Sequence, residues 1–314
     1  MIVLAAAAVL GTLGCRNEPG HAATTKDSAA GAAPATATTQ QGVDWKAVET
    51  AIGRPGVAQP GDVYRFNFPR GDMRVTAAGV AVKPALALGG WVAMKASGDG
   101  VVAMGDLVLA ESELNPVIAK LQAGGVEQTA VHHHLLHESP RVYYVHIHGH
   151  GAAVKIAETI RSAVALTKAP PPAPPAAAAG PLGIDTTQVA QALGYTGRVN
   201  GGVYQVSVPR AETIRDGAFE VPPSMGLGTA INFQPTGGGK AAITGDFVMI
   251  ASEVNPVIRT LRENGIEVTS LHNHLLTEEP RLFFMHFWAN DDALKLARGL
   301  KAALDKTNSK RPTS

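Results

Sequence analysis

The sequence predicts an α+β fold made of two tandem copies of one domain, each a mainly antiparallel sheet with helices on one face. Three observations carry this. The chain repeats itself at an offset of 140 positions, and residues 105–146 align without a gap onto 245–286 with 21 of 42 identities. Short alternating and apolar runs recur between turn signals, as strands do, with only a few helical stretches between them. At about 150 residues per domain, a length of 314 suits two domains rather than one.

Within the first copy the elements follow in order. Residues 45–52 suit a short helix. Residues 63–68 (VYRFNF) alternate and read as a strand, repeated at 203–208. Residues 74–82 and 91–95 suit further strands, and 101–109 is an apolar run. Asn115 is a good N-cap and Pro116 suits a first helical position, so a helix is expected to start there; Asn255 and Pro256 repeat the device. Gly124 and Gly125 end that helix. Strands at 126–135 and 141–148 and a helix at 152–166 complete the copy. Strand, helix, strand, strand, helix, preceded by more strands, points to a ferredoxin-like variant.

The flanks differ in composition. Residues 2–13 are apolar or small, too short a run to span a bilayer, and fit the apolar core of a signal peptide. The run ends at Cys15, the sole cysteine, where a lipoprotein signal would place its lipidated residue. Residues 1–15 are thus expected to be a signal peptide with lipidated Cys15. Residues 16–42 form a flexible tether, and 168–183 an Ala/Pro-rich linker between domains at 43–167 and 184–307. A single cysteine excludes an intrachain disulfide framework and cysteine-based metal clusters. Lys plus Arg is 27 against 26 for Asp plus Glu, a net charge of +1 that argues against a nucleic-acid partner. A hydrophobic fraction of 45% argues against general disorder.

The histidines carry the chemistry. Ten of the eleven fall at the end of a copy: His132, His133, His134, His137, His146, His148 and His150 in the first, and His272, His274 and His286 in the second. Side chains alternate along a strand, so His132 and His134 share a face, as do His146 and His148. An antiparallel return pairing His132 with His146 or His148 puts both sets on the same side of the sheet, within about 5–8 Å. Imidazole nitrogens suit Zn, Cu, Ni or Fe, so His132, His134, His146, His148, His272, His274 and His286 are the candidate metal ligands. The same residues also suit a hydrogen-bonded network, or a pocket that binds an organic anion or works by acid–base chemistry.

Glu113 and Glu253 occupy matching positions and are candidates for a carboxylate ligand or a general base, or for helix-start charges favoured by the dipole. Arg141 and Arg281 follow prolines at turns and are candidates for anion binding or for pairing with nearby glutamates. Asp106 and Asp246 are expected to be solvent-facing strand residues. The copies differ where His148, His150, His133 and His137 become Trp288, Asn290, Asn273 and Thr277. Either the first copy holds an active site and the second a degenerate one, or one composite site lies between copies related by a pseudo-twofold axis.

The blocks Ser112-Glu113-Leu114-Asn115-Pro116, His132-His133-His134-Leu135-Leu136, Pro140-Arg141 and His146, with their second-copy equivalents, resemble the LppY/LpqO lipoprotein family. The resemblance covers nearly all of the chain after Cys15 and implies an exported, lipid-anchored protein of the cell envelope. It implies no particular reaction. The expected function is binding of a transition metal through the His-X-His hairpins, for metal handling or metal-dependent hydrolysis. The alternatives are a metal-free module binding a small-molecule or envelope ligand, and a His/Glu acid–base enzyme.

Overall fold

Each copy builds a six-stranded antiparallel sheet. The computed structural model describes residues 42–172 and 182–311. Cys15, the signal peptide, nearly all of the tether and the linker's centre lie outside the described residues. The first copy runs α1 (Trp45–Ile52), β1 (Val57–Gln59), β2 (Val63–Pro69), β3 (Thr76–Ala77), β4 (Val80–Ala81), α2 (Pro84–Ala87), β5 (Gly89–Ser97), β6 (Gly100–Ala110), α3 (Glu111–Ala123), β7 (Glu127–His132), β8 (Glu138–Ser139), β9 (Val142–Gly151) and α4 (Ala153–Val164). The second runs α5 (Thr186–Leu193), β10 (Arg198–Asn200), β11 (Val203–Pro209), β12 (Arg215–Asp216), β13 (Phe219–Glu220), a 3₁₀ turn at Pro223–Met225, β14 (Gly228–Gly237), β15 (Lys240–Met249), α6 (Ala251–Glu263), β16 (Glu267–His272), β17 (Glu278–Glu279), β18 (Phe283–Asp292) and α7 (Ala293–Leu304).

The sheet orders are β1-β2-β5-β6-β9-β7 and β10-β11-β14-β15-β18-β16. β9 lies between β6 and β7, the strands that α3 connects, which is the split β-α-β of a ferredoxin-like half. The fourth strand of such a core comes from β5, before β6 in the chain, rather than from a strand after α4. The expected variant is therefore a permuted one, extended by β1 and β2.

Strand alternation sorts each sheet into two buried faces. Val101, Ala103, Leu107 and Leu109 of β6 pack with Val145 and Ile147 of β9 against α1, α3 and α4. The intervening residues point the other way, toward the second copy. There Val108, Val142 and Tyr144 share a cluster with Val203, Ala242 and Trp288, while Val63, Ala93, Val102 and Met104 share one with Val248, Leu275 and Phe284. A sheet buried on both faces needs apolar residues at successive positions, which is why β6 reads as a continuous apolar run.

Two local expectations change. The helix starts at Glu111 and Ala251, one turn before Asn115 and Asn255, and leaves Pro116 and Pro256 inside. The Glu113 carboxylate accepts the Ala110 N–H at 2.9 Å, and Glu253 accepts that of Ile250 at 2.9 Å, so glutamate closes the helix start. The expected strand at 126–135 stops at His132, because residues 133–141 leave the sheet and β8 joins β3 and β4 in a small separate sheet.

Candidate metal centre

Six imidazoles meet between the inner faces of the two sheets. His146 lies mid-strand in β9, opposite Asp106 of β6; His286 lies in β18, opposite Asp246 of β15. His132 and His272 end β7 and β16, and their strand partners are Tyr144 and Phe284. That register is two residues from the nearer of the two expected ones, so parity, and with it the shared face, is preserved. His134 and His274 lie just beyond those strands, and their rings stack on Tyr144 at 3.3 Å and Phe284 at 3.5 Å.

Three imidazole pairs bridge the copies with centroids under 4 Å apart. His132 stacks on His272 with centroids 3.9 Å apart, His134 meets His286 at 3.7 Å, and His146 meets His274 at 3.8 Å. The pseudo-twofold that exchanges the copies exchanges the last two pairs and maps the first onto itself. Hydrogen bonds obey the same symmetry: Thr129 Oγ1 donates to the His274 carbonyl at 2.6 Å, and Thr269 Oγ1 to the His134 carbonyl at 2.7 Å. The six imidazoles thus form one cluster with three from each copy.

Backbone carbonyls fix the imidazole tautomers. A carbonyl only accepts, so His146 Nδ1–H donates to Gly105 O at 3.2 Å, His286 Nδ1–H to Gly245 O at 2.6 Å, and His274 Nδ1–H to Gly226 O at 2.9 Å. In the neutral ring Nε2 then carries a lone pair, the state a metal ligand needs. Gly105 is there for close approach: a Cβ would come 2.6 Å from the Trp91 carbonyl, and one at Gly245 would collide with the Ala230 carbonyl. The two carboxylates complete the cluster, with Asp106 Oδ2 3.3 Å from His134 Nε2 and Asp246 Oδ2 3.0 Å from His274 Nε2.

Three groups have ligand atoms within 4.8 Å of one another and could hold a metal ion: His132 with His134 and His286; His132 with His146 and His272; and Asp246 with His272 and His274. Both ring nitrogens of His132 and His272 are buried without a hydrogen-bond partner, as are Nε2 of His134, His146, His274 and His286.

The chain matches, over residues 46–166 and 187–306, the family described as Domain of Unknown Function (DUF1259). It belongs to that family. The two matched segments are the two copies of a duplicated DUF1259 domain, and the cluster lies between them. No curated protein matches the chain. Among solved structures it is similar to a trimeric bacterial microcompartment shell protein, PduB, at 12% identity over 79% of this chain and 88% of that one, with a TM-score of 0.20. EtuB from Clostridium kluyveri matches at 8% identity over 80% and 90%, with a TM-score of 0.18. Neither score is high enough to carry an argument about this chain.

Burial sets the charge state of the DUF1259 cluster. It pushes His132, His134 and His146 well below the ordinary imidazole range, reinforced by neighbouring imidazoles. It lowers His272 and His286 as well, and brings His274 down to about 3. It also pushes Asp246 up to about 6, and Asp106 well up, with the Asp246 charge adding to the rise. The imidazoles are therefore neutral donors at neutral pH.

The remaining predicted residues fall elsewhere in the DUF1259 domains. His148 sits on the inner face but beside Asp216, 3.4 Å from its Oδ2, outside the six. Glu113 and Glu253 are corrected as ligand or base candidates. Arg70 holds Glu113 through two bonds of 2.6 and 3.0 Å, Arg210 holds Glu253 at 2.7 and 3.1 Å, and both carboxylates also accept backbone N–H groups. Burial alone would raise the Glu113 carboxyl, but the Arg70 and backbone bonds bring it below its ordinary value. Arg281 pairs with Glu278 at 3.1 Å, which is the structural role, and Arg141 is exposed at the matching turn.

Asp106 and Asp246, expected to face solvent, are instead buried against the histidines. Their signal was present in the sequence: a carboxylate inside an otherwise apolar strand, repeated 140 residues later. Such a position is either exposed or paired, and only the sheet packing decides which.

Proposed function

We propose that this chain is a bacterial envelope lipoprotein that binds a transition metal at the junction of its two domains. The observation that carries the metal reading is the set of buried imidazole nitrogens without hydrogen-bond partners, drawn from both copies, with ligand atoms grouped within 4.8 Å of one another. Each buried unsatisfied polar atom costs about 1–3 kcal/mol, and eight such nitrogens in one cluster are hard to reconcile with a purely structural role. A metal coordinated by several of them offsets that cost. Neutral imidazole with carboxylate suits Zn, Cu, Ni or Fe. The ligands are His132, His134, His146, His272, His274 and His286, with Asp106 and Asp246 as ligands or orienting partners. Burial between two sheets favours metal holding or delivery over hydrolysis, which needs a coordination position open to substrate.

The lipoprotein half of the proposal rests on sequence: the apolar segment ending at Cys15, and the resemblance to the LppY/LpqO family. A lipidated Cys15 anchors the protein to a membrane, with 16–42 as tether and 168–183 as linker between domains at 43–167 and 184–307. Among the described residues no helix is long and apolar enough to cross a membrane.

The metal reading is tested by elemental analysis of the untagged protein purified from cells. Stoichiometric Zn, Cu, Ni or Fe, reduced in the variant carrying both His132→Ala and His134→Ala, is the expected result. A metal-free protein that also fails to bind these ions when they are added would overturn it. Labelling with a fatty-acid analogue, present in the wild type and lost in Cys15→Ala, tests the anchor separately.

A further inference from the structure

The histidine cluster is larger than one metal ion needs. A closed transition-metal site takes about four protein ligands, whereas six imidazoles and two carboxylates converge here. Of the three ligand groups, His132/His134/His286 and Asp246/His272/His274 share no residue, so both can be filled at once. The third, His132/His146/His272, takes ligands from each of the other two and competes with them.

We propose that the cluster holds two transition-metal ions, in two subsites related by the pseudo-twofold axis; this rests on the metal reading above. The first subsite takes His132 and His134 from one copy and His286 from the other, with Asp106 beside His134. The second takes His272, His274 and Asp246, with His146 of the first copy packed on His274 at 3.8 Å. Each subsite thus has one carboxylate, which divides the negative charge evenly between two buried cations. A single ion in the central group would leave His134, His274 and His286 Nε2, and Oδ1 of both carboxylates, buried without hydrogen-bond partners. Two ions engage the three imidazoles and Asp246 at once, with Asp106 beside His134.

The subsites also make the duplication functional. His286 of the second copy completes the first subsite, and His146 of the first copy flanks the second, so one copy alone holds only part of the donor set.

Metal stoichiometry decides between one ion and two. The chelator-stripped full-length chain is titrated with Co(II), followed by its d–d absorption, and bound metal is counted after dialysis. Two equivalents per chain are expected. His134→Ala with His286→Ala should leave one equivalent, Asp246→Asn with His274→Ala should leave one, and all four changes together should leave none. Circular dichroism establishes that each variant is folded. For any that is not, the wild-type count and its electron paramagnetic resonance decide, since two neighbouring Co(II) ions weaken each other's signal between half and full loading. One equivalent in the wild type overturns the two-ion proposal and leaves the metal reading standing. So does loss of both equivalents, or of neither, in either paired variant. No bound Co(II) at all, with Zn, Cu, Ni and Fe also excluded, overturns the metal reading itself.

Discussion

His132 and His272 stack face to face across the junction of the two copies, 3.9 Å between centroids and 15° from parallel. Neither ring has a hydrogen-bond partner for either nitrogen. Replacing such a pair by apolar side chains of similar size removes four buried unsatisfied atoms, a change that is commonly neutral or stabilising. The variant with both His132→Leu and His272→Leu should therefore be as stable as the wild type, or more so, when both are metal-free. It should lose the extra stability that the wild type gains on adding metal, which is about 2.7 kcal/mol per bound ion at a hundredfold excess over Kd. Urea denaturation with and without Zn(II) measures both terms. A metal-free variant less stable than the wild type would show that the stacked imidazoles hold the junction together without a metal.

Acid should weaken the fold, and the sign follows from the histidines. In each of the six, burial lowers the folded-state pKa, so below about 6.5 the unfolded chain takes up protons that the folded chain refuses. Stability is therefore fully present above that pH and falls as the pH drops; for His274 the loss continues down to about 3. Asp246, raised to about 6, acts in the opposite sense, since the folded form holds its proton longer as pH rises, and Asp106 does the same. Six groups against two give a net loss on acidification. Melting temperatures of the metal-free protein at pH 7.5, 6.5 and 5.5 should decline in that order. The decline should be shallower in the His132→Leu/His272→Leu variant.

Asp106 should matter to metal affinity more than to folding. Its Oδ2 lies 3.3 Å from His134 Nε2, so it either shares the ion or orients the ring that does. Asp106→Asn keeps the shape and removes the charge. Loss of such a partner typically costs about 10–100-fold in metal affinity. Competition against a chromophoric chelator reads that change, and an unaltered affinity would remove Asp106 from the site.

Glu113 should behave in the opposite way. Its carboxylate neutralises the buried Arg70 guanidinium, which Asp72 also contacts at 2.9 Å. Removing one partner of a buried ion pair costs about 3–5 kcal/mol, and the remaining Asp72 contact puts Glu113→Gln toward the lower end. Metal binding per folded molecule should not change. A loss of metal affinity without a loss of stability would return Glu113 to the list of ligands.

Much of the site was legible before the fold was known. The repeat at 140 residues is legible in the identities and the placement of His132, His146, His272 and His286 on strands in the alternation, whereas the even parity of their pairing depends on the register, which the sheet decides. His134 reaches the cluster from the loop beyond β7, not from the strand on which alternation places it. Glu113 is held by Arg70, and it is Asp106 that lies beside a histidine. Both are carboxylates repeated in the second copy, and sequence spacing cannot say that Arg70, 43 positions earlier, would claim the first.

The sequence by itself determined the two-copy architecture, which histidines can share a face of one strand and their chemical suitability for a metal, because those depend on internal repetition, local periodicity and residue type. Only the tertiary structure decided that the two inner faces meet, which turns two three-histidine sets into one six-histidine centre. It also decided which carboxylates reach that centre. Both outcomes depend on how two sheets pack across a junction, where burial and partner geometry involve residues more than a hundred positions apart.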